Sequence, residues 1–88
     1  MLHFADMKEL SANEISLIKN EFPYQVGNRI KELRKKQGIT QTKLADLTDK
    51  DRQYIFKIEK GLVTPNISTI KIIANALDIL LKDFFTDL

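Results

Sequence analysis

The 88-residue chain contains no cysteine and no tryptophan, and it has few glycines and prolines. Without cysteine, disulfides and thiolate metal sites are excluded. The longest apolar-rich stretch, residues 67–81, is interrupted by polar and charged side chains, so no membrane-spanning helix is predicted. Residues 1–10 carry charged side chains and lack the apolar segment of a signal peptide. We therefore expect a cytoplasmic protein.

Candidates for catalytic chemistry are equally few. The only histidine is His3, close to the start of the chain, and there is no glycine-rich phosphate loop. A nucleophile with an adjacent base cannot be assembled from these residues, and the carboxylates are scattered. The sequence predicts a protein that is not an enzyme and uses no cofactor or metal.

Positive charge is concentrated in the middle of the chain. The formal net charge is only +2, but residues 26–62 hold ten Lys or Arg against five Asp or Glu. The flanking segments balance at two against four before this region and two against three after it. A basic segment between mildly acidic ones is the electrostatic pattern of a protein that binds a phosphate backbone.

The first half of the chain predicts two helices, and no part of it shows a strand pattern. Ser11 and Glu14 form a capping-box motif before apolar residues at helical spacing, which predicts a short helix over residues 12–21. Pro23 is expected to end this helix. The next helix is expected from about residue 24 or 25 to Gln37, with Gly38 as the left-handed closing residue.

Two short helices then follow within about twenty residues. Thr40 is expected to cap a helix over residues 41–47 and Asp51 one over residues 52–60, closed by Gly61. Such a pair is typical of a helix-turn-helix. The apolar residues expected to interlock the two are Leu44, Ala45, Leu47, Ile55 and Ile58. Two more helices are expected, from Asn66 to about Leu77, with Ile67 at the start of its apolar face, and from Leu80 or Leu81 to Thr86.

The exposed face of the second short helix carries the side chains that major-groove reading needs. Arg and Lys can donate to guanine, and Gln can pair with adenine. The alternative is a solvated helical face, but the surrounding pattern favours contact with double-stranded DNA. An aromatic residue at position 56 has two equal interpretations, contact with a thymine methyl group or packing on Leu47. The residues of this face are Arg52, Gln53, Phe56, Lys57 and Lys60. Candidates for non-specific phosphate contact are Lys60, Lys43 on the preceding helix, and Arg29, Lys31, Lys35 and Lys36 on the helix before that.

A longer pattern of residues surrounds the two short helices. It comprises Gly27, Arg29-Ile30, Leu33-Arg34, Gly38-Ile39-Thr40-Gln41, Leu44-Ala45, Tyr54-Ile55, Ile58-Glu59-Lys60-Gly61, Pro65 and Ile73-Ala74-Asn75-Ala76-Leu77. With these residues the chain resembles, over about residues 26–85, the phage-repressor-like (Xre-type) helix-turn-helix family of transcriptional regulators. The resemblance implies an all-α, five-helix, lambda-repressor-like bundle, here with an additional short N-terminal helix, that binds DNA as a two-fold dimer. We expect an N-terminal extension over residues 1–22 and a DNA-binding domain over residues 23–88.

The resemblance also assigns roles to single residues. Gln41 would hold a DNA phosphate at the first turn of its helix. Arg34 and Glu59 would form a largely buried ion pair. Base reading would fall to Arg52, Gln53 and Lys57.

The sequence departs from the family at three positions. Members commonly have Gly where this chain has Asp49 and an aliphatic residue where it has Lys50, which puts the tightness of the turn in question. The aliphatic stem of Lys50 is expected to lie along the apolar surface that the aliphatic residue of the family would cover. The position of Leu80, often a Ser or Thr cap in the family, predicts a poor start for the last helix.

The C-terminal region is expected to form the dimer interface, because its apolar side chains exceed what a small domain needs to bury. The N-terminal helix could assist the dimer or fold back over these residues. The expected interface residues are Ile79, Leu81, Phe84, Phe85 and Leu88.

Two other functions are compatible with the sequence. One is an interaction module, such as an antitoxin that binds a toxin and autoregulates its operon. The other is a restriction-modification controller protein, because residues 51–55 also resemble the recognition helix of that group.

Overall fold

The computed structural model describes residues 7–86 and residue 88, and within this part of the chain all regular structure is helical. His3 lies outside the described residues. No helix among them is long and apolar enough to cross a membrane. The predicted all-α fold is confirmed. The five helices are α1 (Ala12–Lys36), α2 (Gln41–Leu47), α3 (Arg52–Glu59), α4 (Ile67–Ala76) and α5 (Leu81–Phe84).

Helix α1 corrects the expectation that Pro23 ends a first short helix. The helix runs through Pro23 without a break for 25 residues, so the expected N-terminal helix is the first half of α1. Proline removes one backbone donor inside a helix. The helix continues nevertheless because Val26, Ile30 and Leu33 in its second half are buried against the rest of the domain. The division into residues 1–22 and 23–88 stays a prediction.

The helix starts follow the sequence closely. Ser11 accepts a hydrogen bond from the backbone of Glu14, whose side chain accepts one in return, so the predicted capping box is present. Thr40, Asp51 and Asn66 cap α2, α3 and α4 through their side-chain oxygens. Leu80 gives α5 no side-chain cap, as predicted, and α5 is only four residues long.

The first four helices end in the same way. In each, a left-handed residue follows the last turn, and the next backbone N–H reaches back to a carbonyl five residues earlier. Gly38 and Gly61 fill this position as predicted, with φ of 69° and 73°. Asp49 and Asp78 fill the other two, with φ of 55° and 56°. Aspartate tolerates this conformation better than most residues but less well than glycine.

The core lies around α3, which packs against both α1 and α2. Ile55 and Ile58 on α3 are completely buried, as is Leu44 on α2. Gly27 allows the close approach of α1, because a Cβ atom at this position would collide with the carbonyl oxygen of Ile58. The remaining core residues are Val26, Ile30, Leu33, Ala45, Ile73, Ala74, Leu77 and Phe84.

Three predictions of burial and exposure are wrong. Leu47 and Ile67 were expected to pack inside, but they are 49% and 82% exposed. Leu47 is the last residue of α2 and Ile67 the first of α4, and residues at a helix end can leave the apolar stripe without loss of the core. Phe84, expected at a dimer surface, is 0% exposed because its ring fills the core beneath α5, with Phe85 edge-on outside it.

Side chains of α1 hold the last two helices in place through hydrogen bonds. The guanidinium of Arg29 donates to the carbonyl oxygens of Phe84 and Asp83, at 2.9 and 2.8 Å. The side-chain amide of Gln37 donates to the carbonyl of Leu77 at the end of α4. These bonds satisfy carbonyls that a helix end leaves open. Arg29, a candidate for phosphate contact on the sequence alone, is a structural residue here.

The first half of α1 projects from the domain. We call residues 7–22, which include this half of α1, the arm, and the rest of the described chain, from residue 23 onward, the body. Every arm residue except the half-buried Glu14 is exposed. The molecule extends 48 Å along its longest axis, and its radius of gyration is 15.2 Å. A compact chain of this length would have about 12 Å.

Candidate nucleic-acid interface

The turn between α2 and α3 fixes how α3 is presented. It begins at Thr48, whose buried hydroxyl donates to the carbonyl of Leu44 at 2.7 Å. The backbone N–H of Lys50 then bonds the carbonyl of Ala45 at 3.0 Å across left-handed Asp49. The turn is closed by hydrogen bonds although it lacks the glycine of the family pattern.

Lys50 does not leave the apolar surface bare. Its ammonium lies 4.9 Å from the centre of the Tyr54 ring, a distance that suits a cation–π contact. Tyr54 is half-buried and packs on the core. The side chain that replaces an aliphatic residue of the family therefore still covers the start of α3.

A buried network joins α1, α2 and α3. The guanidinium of Arg34 donates twice to Glu59, from Nε to Oε2 at 2.7 Å and from Nη2 to Oε1 at 3.0 Å. The two side chains are only 9% and 2% exposed. A third donor of Arg34 reaches the carbonyl of Ile39, and Nε2 of Gln41 donates to Oε1 of Glu59. The predicted ion pair is thus present, and it is fully hydrogen-bonded.

Gln41 occupies a position that sequence reasoning described incompletely. It is the first residue of α2 and is half-buried, with its side-chain amide directed at Glu59. The network therefore orients the beginning of α2 relative to α3. Its contact with a DNA phosphate stays a prediction, now with a side chain whose orientation is fixed by Glu59.

Helix α3 has one buried and one exposed face. Ile55, Ile58 and Glu59 face the core, while three cationic or amide side chains of the helix and a fourth directly after its end are exposed. The side-chain oxygen of Asp51 accepts from the Tyr54 N–H at 2.7 Å and anchors the first turn. The exposed residues are Arg52, Gln53, Lys57 and Lys60. The structure brings together on one short helix every residue predicted to read bases.

Phe56 lies between the two interpretations left open by the sequence. Its side chain is half-buried, so it is neither a core residue nor fully free. The ammonium of Lys60 lies 5.9 Å from the ring centre. Lys43, the phosphate candidate on α2, is exposed. The exposed face of α3 thus presents positively charged side chains and one amide around the half-buried ring of Phe56.

The structural roles of two side chains were not predicted from the sequence. Arg29 and Gln37 donate hydrogen bonds to backbone carbonyl groups that lie 40 to 55 residues away in the chain. No local spacing signals such contacts, because they depend on where the last two helices fold back. Their consequence is indirect, since they fix α4 and α5 to the same helix that packs on α3.

The helix-turn-helix family model matches residues 30–84, which is more than half of the chain. The chain therefore belongs to the helix-turn-helix family, a family of DNA-binding regulators and not a class of enzymes. The matched segment contains α2, α3, the network around Glu59 and the exposed face of α3. The arm lies outside it.

Two similar proteins are regulators of transcription. The immunity repressor protein of Bacillus phage phi105 is 41% identical over 54 residues, 61% of this chain and 38% of the repressor. The HTH-type transcriptional regulator PuuR of Escherichia coli (strain K12) is 33% identical over 61 residues, 69% of this chain and 33% of PuuR. The matched part of the chain thus spans only about a third of the length of these relatives.

One solved structure matches over nearly its whole length. The restriction-modification controller protein C.AhdI from Aeromonas hydrophila superposes with a TM-score of 0.72 and 33% sequence identity. The match covers 75% of this chain and 96% of the controller protein. The fold is therefore shared with a controller protein as well as with the helix-turn-helix family.

Proposed function

We propose that this chain regulates transcription by reading a specific double-stranded DNA sequence with α3 in the major groove. Membership of the helix-turn-helix family supports DNA binding. The single observation that carries the reading role is that α3 turns Arg52, Gln53 and Lys57 outward together while its other face is locked into the core. A rigid helix with donor side chains at its exposed start fits the major groove.

The network around Glu59 supports the same proposal. Base discrimination requires side chains held in one orientation, and Arg34, Gln41 and Glu59 tie α1, α2 and α3 together. Lys43, Lys60 and the amide of Gln41 are assigned to phosphate contacts, which position the helix without reading sequence. We place the protein in the cytoplasm with the DNA it reads.

The protein acts as a homodimer in this proposal. One domain offers few base-reading residues, and two α3 helices related by a two-fold axis would read a palindrome with half-sites about 34 Å apart. Phe85 and Leu88 remain 39% and 40% exposed at the C-terminal end. Ile79 and Leu81 are half-buried, and Phe84 is not a candidate because it is fully buried.

The experiment is selection of duplexes from a random library at near-physiological salt, followed by variants. Gln53→Ala and Lys57→Ala should each relax discrimination at particular base pairs by about 1–3 kcal/mol. Gln41→Ala should weaken all duplexes alike. Lys71→Ala, exposed on α4, is the matched control and should leave the selected sequence unchanged. Unchanged preference in both α3 variants would contradict the reading role.

Salt dependence tests the electrostatic part separately. If about four to six phosphates per monomer are neutralised, the logarithm of the binding constant should fall linearly with the logarithm of salt, by about 0.9 per phosphate. A flat response would show that the charge of residues 26–62 is not used on DNA.

A second candidate is a controller of restriction-modification genes. The observation that favours it is the match over 96% of the controller protein C.AhdI, a chain of similar extent. An operator recovered by selection and found upstream of a methyltransferase or endonuclease gene would support this candidate. An operator found only at genes of other kinds would reject it.

A further inference from the structure

Two aromatic side chains border the exposed face of α3. Gln53 and Lys57 are four residues apart, so they lie about 40° from one another around the helix axis and form the centre of this face. Tyr54 and Phe56 lie about 80° to either side of that centre, and both rings are half-buried. The face proposed to read bases is therefore a strip of exposed side chains between two aromatic flanks.

Each aromatic flank carries a lysine. The ammonium of Lys50 lies 4.9 Å from the centre of the Tyr54 ring, and the ammonium of Lys60 lies 5.9 Å from the centre of the Phe56 ring. Both distances suit a cation–π contact. Lys50 precedes α3 and Lys60 follows its last residue. The two positive charges therefore lie at opposite ends of the helix as well as on opposite sides of it.

Both ammonium groups are available to an anion outside the chain. Lys50 and Lys60 are exposed, and neither forms an ion pair within the described part of the chain. Asp49 and Asp51 adjoin Lys50, but Asp51 accepts the Tyr54 N–H instead. An ammonium has three donors, and a ring face occupies only one side of it. Donors are thus left for phosphate oxygens.

The dimensions of the major groove fit this arrangement. The groove is about 12 Å wide, and an α-helix with its side chains is about 10–12 Å across. When the strip of Gln53 and Lys57 points to the floor of the groove, the two flanks of α3 lie beside the two phosphate backbones. Lys50 is on one of these flanks and Lys60 is on the other.

We propose that Lys50 is a phosphate contact, held over the Tyr54 ring, and that it meets one DNA strand while Lys60 meets the other. The inference rests on the proposed function, in which α3 enters the major groove, and it adds the contact to the second backbone. Position 50 is one at which the chain departs from the family, where an aliphatic residue is common. Packing of the turn therefore does not require the charge, and the contact is specific to this chain.

The ring makes the contact of Lys50 easier to form. A lysine side chain loses rotamer freedom when it binds. An ammonium that already lies over Tyr54 has less of this freedom to lose when DNA arrives. The charge also offsets Asp49 and Asp51, two exposed carboxylates that the turn brings to the start of α3. Without Lys50, those carboxylates would stand beside the phosphates with Arg52 as the nearest cation in the sequence.

The salt dependence of duplex binding by the full chain tests Lys50. Lys50→Met removes the charge and keeps an apolar stem. It should weaken binding to a duplex of the selected sequence by about fivefold to tenfold near 0.1 M salt, and it should lower the salt slope by about 0.9. Lys50→Arg should restore the slope, and Lys71→Met, exposed on α4, should leave it unchanged. A wild-type slope in Lys50→Met would overturn the proposal.

Ethylation of single phosphates in the same duplex identifies the strands. Ethylation removes one negative charge, so it should inhibit the wild-type chain at phosphates on both strands of a half-site. Lys50→Met should become insensitive to ethylation at one phosphate, and Lys60→Met at a phosphate of the opposite strand. Insensitivity on the same strand for both variants, or at no phosphate for Lys50→Met, would overturn the arrangement.

A double-mutant cycle tests the role of the ring. Tyr54→Leu keeps an apolar side chain against the core but removes the ring, so it should weaken binding by about twofold to fivefold. The same change should have no effect in the Lys50→Met background. Tyr54→Phe keeps the ring and should bind as the wild type does. An equal loss from Tyr54→Leu in both backgrounds, or a loss from Tyr54→Phe, would show that Tyr54 does not act through Lys50.

The same titrations separate this inference from the proposed function. If the wild-type chain binds no duplex, or binds without salt dependence, DNA reading fails and the contact of Lys50 fails with it. If the wild-type chain binds duplexes with a steep salt slope while Lys50→Met behaves like Lys71→Met, only the contact of Lys50 fails.

Discussion

The two halves of α1 have the same helical geometry and the same apolar spacing, yet their surroundings differ completely. In the body half, Val26, Ile30 and Leu33 are buried and Arg34 joins an ionic network. In the arm half, Ile15 and Ile18 face solvent. Apolar periodicity identifies the face of a helix that seeks cover, but it does not say which surface provides it.

Ion pairs show the same contrast. Lys8 and Glu14 at the arm lie 3.0 Å apart, but their side chains are 74% and 41% exposed. Arg34 and Glu59 in the body are almost wholly removed from solvent. Distance alone makes the two pairs look alike, whereas burial decides how much each contributes to stability.

The largest expected effect comes from breaking the buried pair. Glu59→Ala should lower the free energy of unfolding by about 3–5 kcal/mol, because the Arg34 guanidinium is left buried without its partner. Replacing both residues, as in Arg34→Met with Glu59→Leu, should cost much less. Denaturant titrations of Glu59→Ala, of the single variants Arg34→Met and Glu59→Leu, and of the double variant measure these effects.

The arm supplies the control for that prediction. Lys8→Ala removes an exposed pair of similar length and should change the free energy of unfolding by less than about 1 kcal/mol. Additive effects of Arg34→Met and Glu59→Leu would mean that the pair is not coupled.

The next effect concerns the close approach of α1 and α3. Gly27→Ala should destabilise the protein by about 1–3 kcal/mol, since the added methyl group meets backbone at Ile58 and the helices must separate. The higher helix propensity of alanine offsets less than about 1 kcal/mol of this. Thermal or denaturant unfolding measures the loss.

Ser16→Ala, in the exposed arm of the same helix, is the matched control for Gly27→Ala. It should be neutral or slightly stabilising, because nothing in the body approaches that position. A loss of stability from Ser16→Ala equal to that from Gly27→Ala would contradict the contrast between the two halves.

Local chemistry made the helix starts and ends predictable. The capping residues Ser11, Thr40 and Asp51 accept hydrogen bonds from the backbone N–H groups three residues ahead. Gly38 and Gly61 adopt the left-handed conformation at their own positions. Each signal lies within a few residues of its effect. The family pattern extended this success to the pair of Arg34 and Glu59, which lie 25 residues apart.

Tertiary packing was not predictable in the same way. Pro23 is a helix breaker by its own chemistry, and only the burial of the turns that follow explains why α1 continues. The exposure of Phe84 and Phe85 differs although they are neighbours, because one ring enters the core and the other does not. On the sequence alone Arg29 is a candidate for phosphate contact, because its carbonyl acceptors are brought to it only when α5 folds back onto α1.

The N-terminal caps of α2 in the body and of α1 in the arm allow the same comparison, with a smaller expected change in the free energy of unfolding. Thr40→Ala removes the bond to the Lys43 N–H and should lower the free energy of unfolding by about 1 kcal/mol, because α2 is part of the cooperative core. Ser11→Ala removes the same kind of bond from the arm and should fray its first turn without changing global unfolding. Denaturant titration and amide exchange at Glu14 separate the two outcomes, and an equal global loss would show that the arm folds as one unit with the body.

The smallest effect is a pH response confined to the arm. A hydrogen bond from the backbone N–H of Ser11, the ammonium of Lys8 and the Ser11 side chain lower the pKa of Glu14. The folded helix start therefore favours the carboxylate, so its stabilisation is present above the unfolded pKa of about 4.3 and is lost as pH falls through the lower folded value. Backbone chemical shifts of the first turn of α1 should accordingly move toward coil values in acid while those of α2 and α3 still report helix. Glu14→Gln keeps a side-chain acceptor for the Ser11 N–H but cannot titrate, and it should abolish the response; an unchanged acid transition in that variant would assign it to another group.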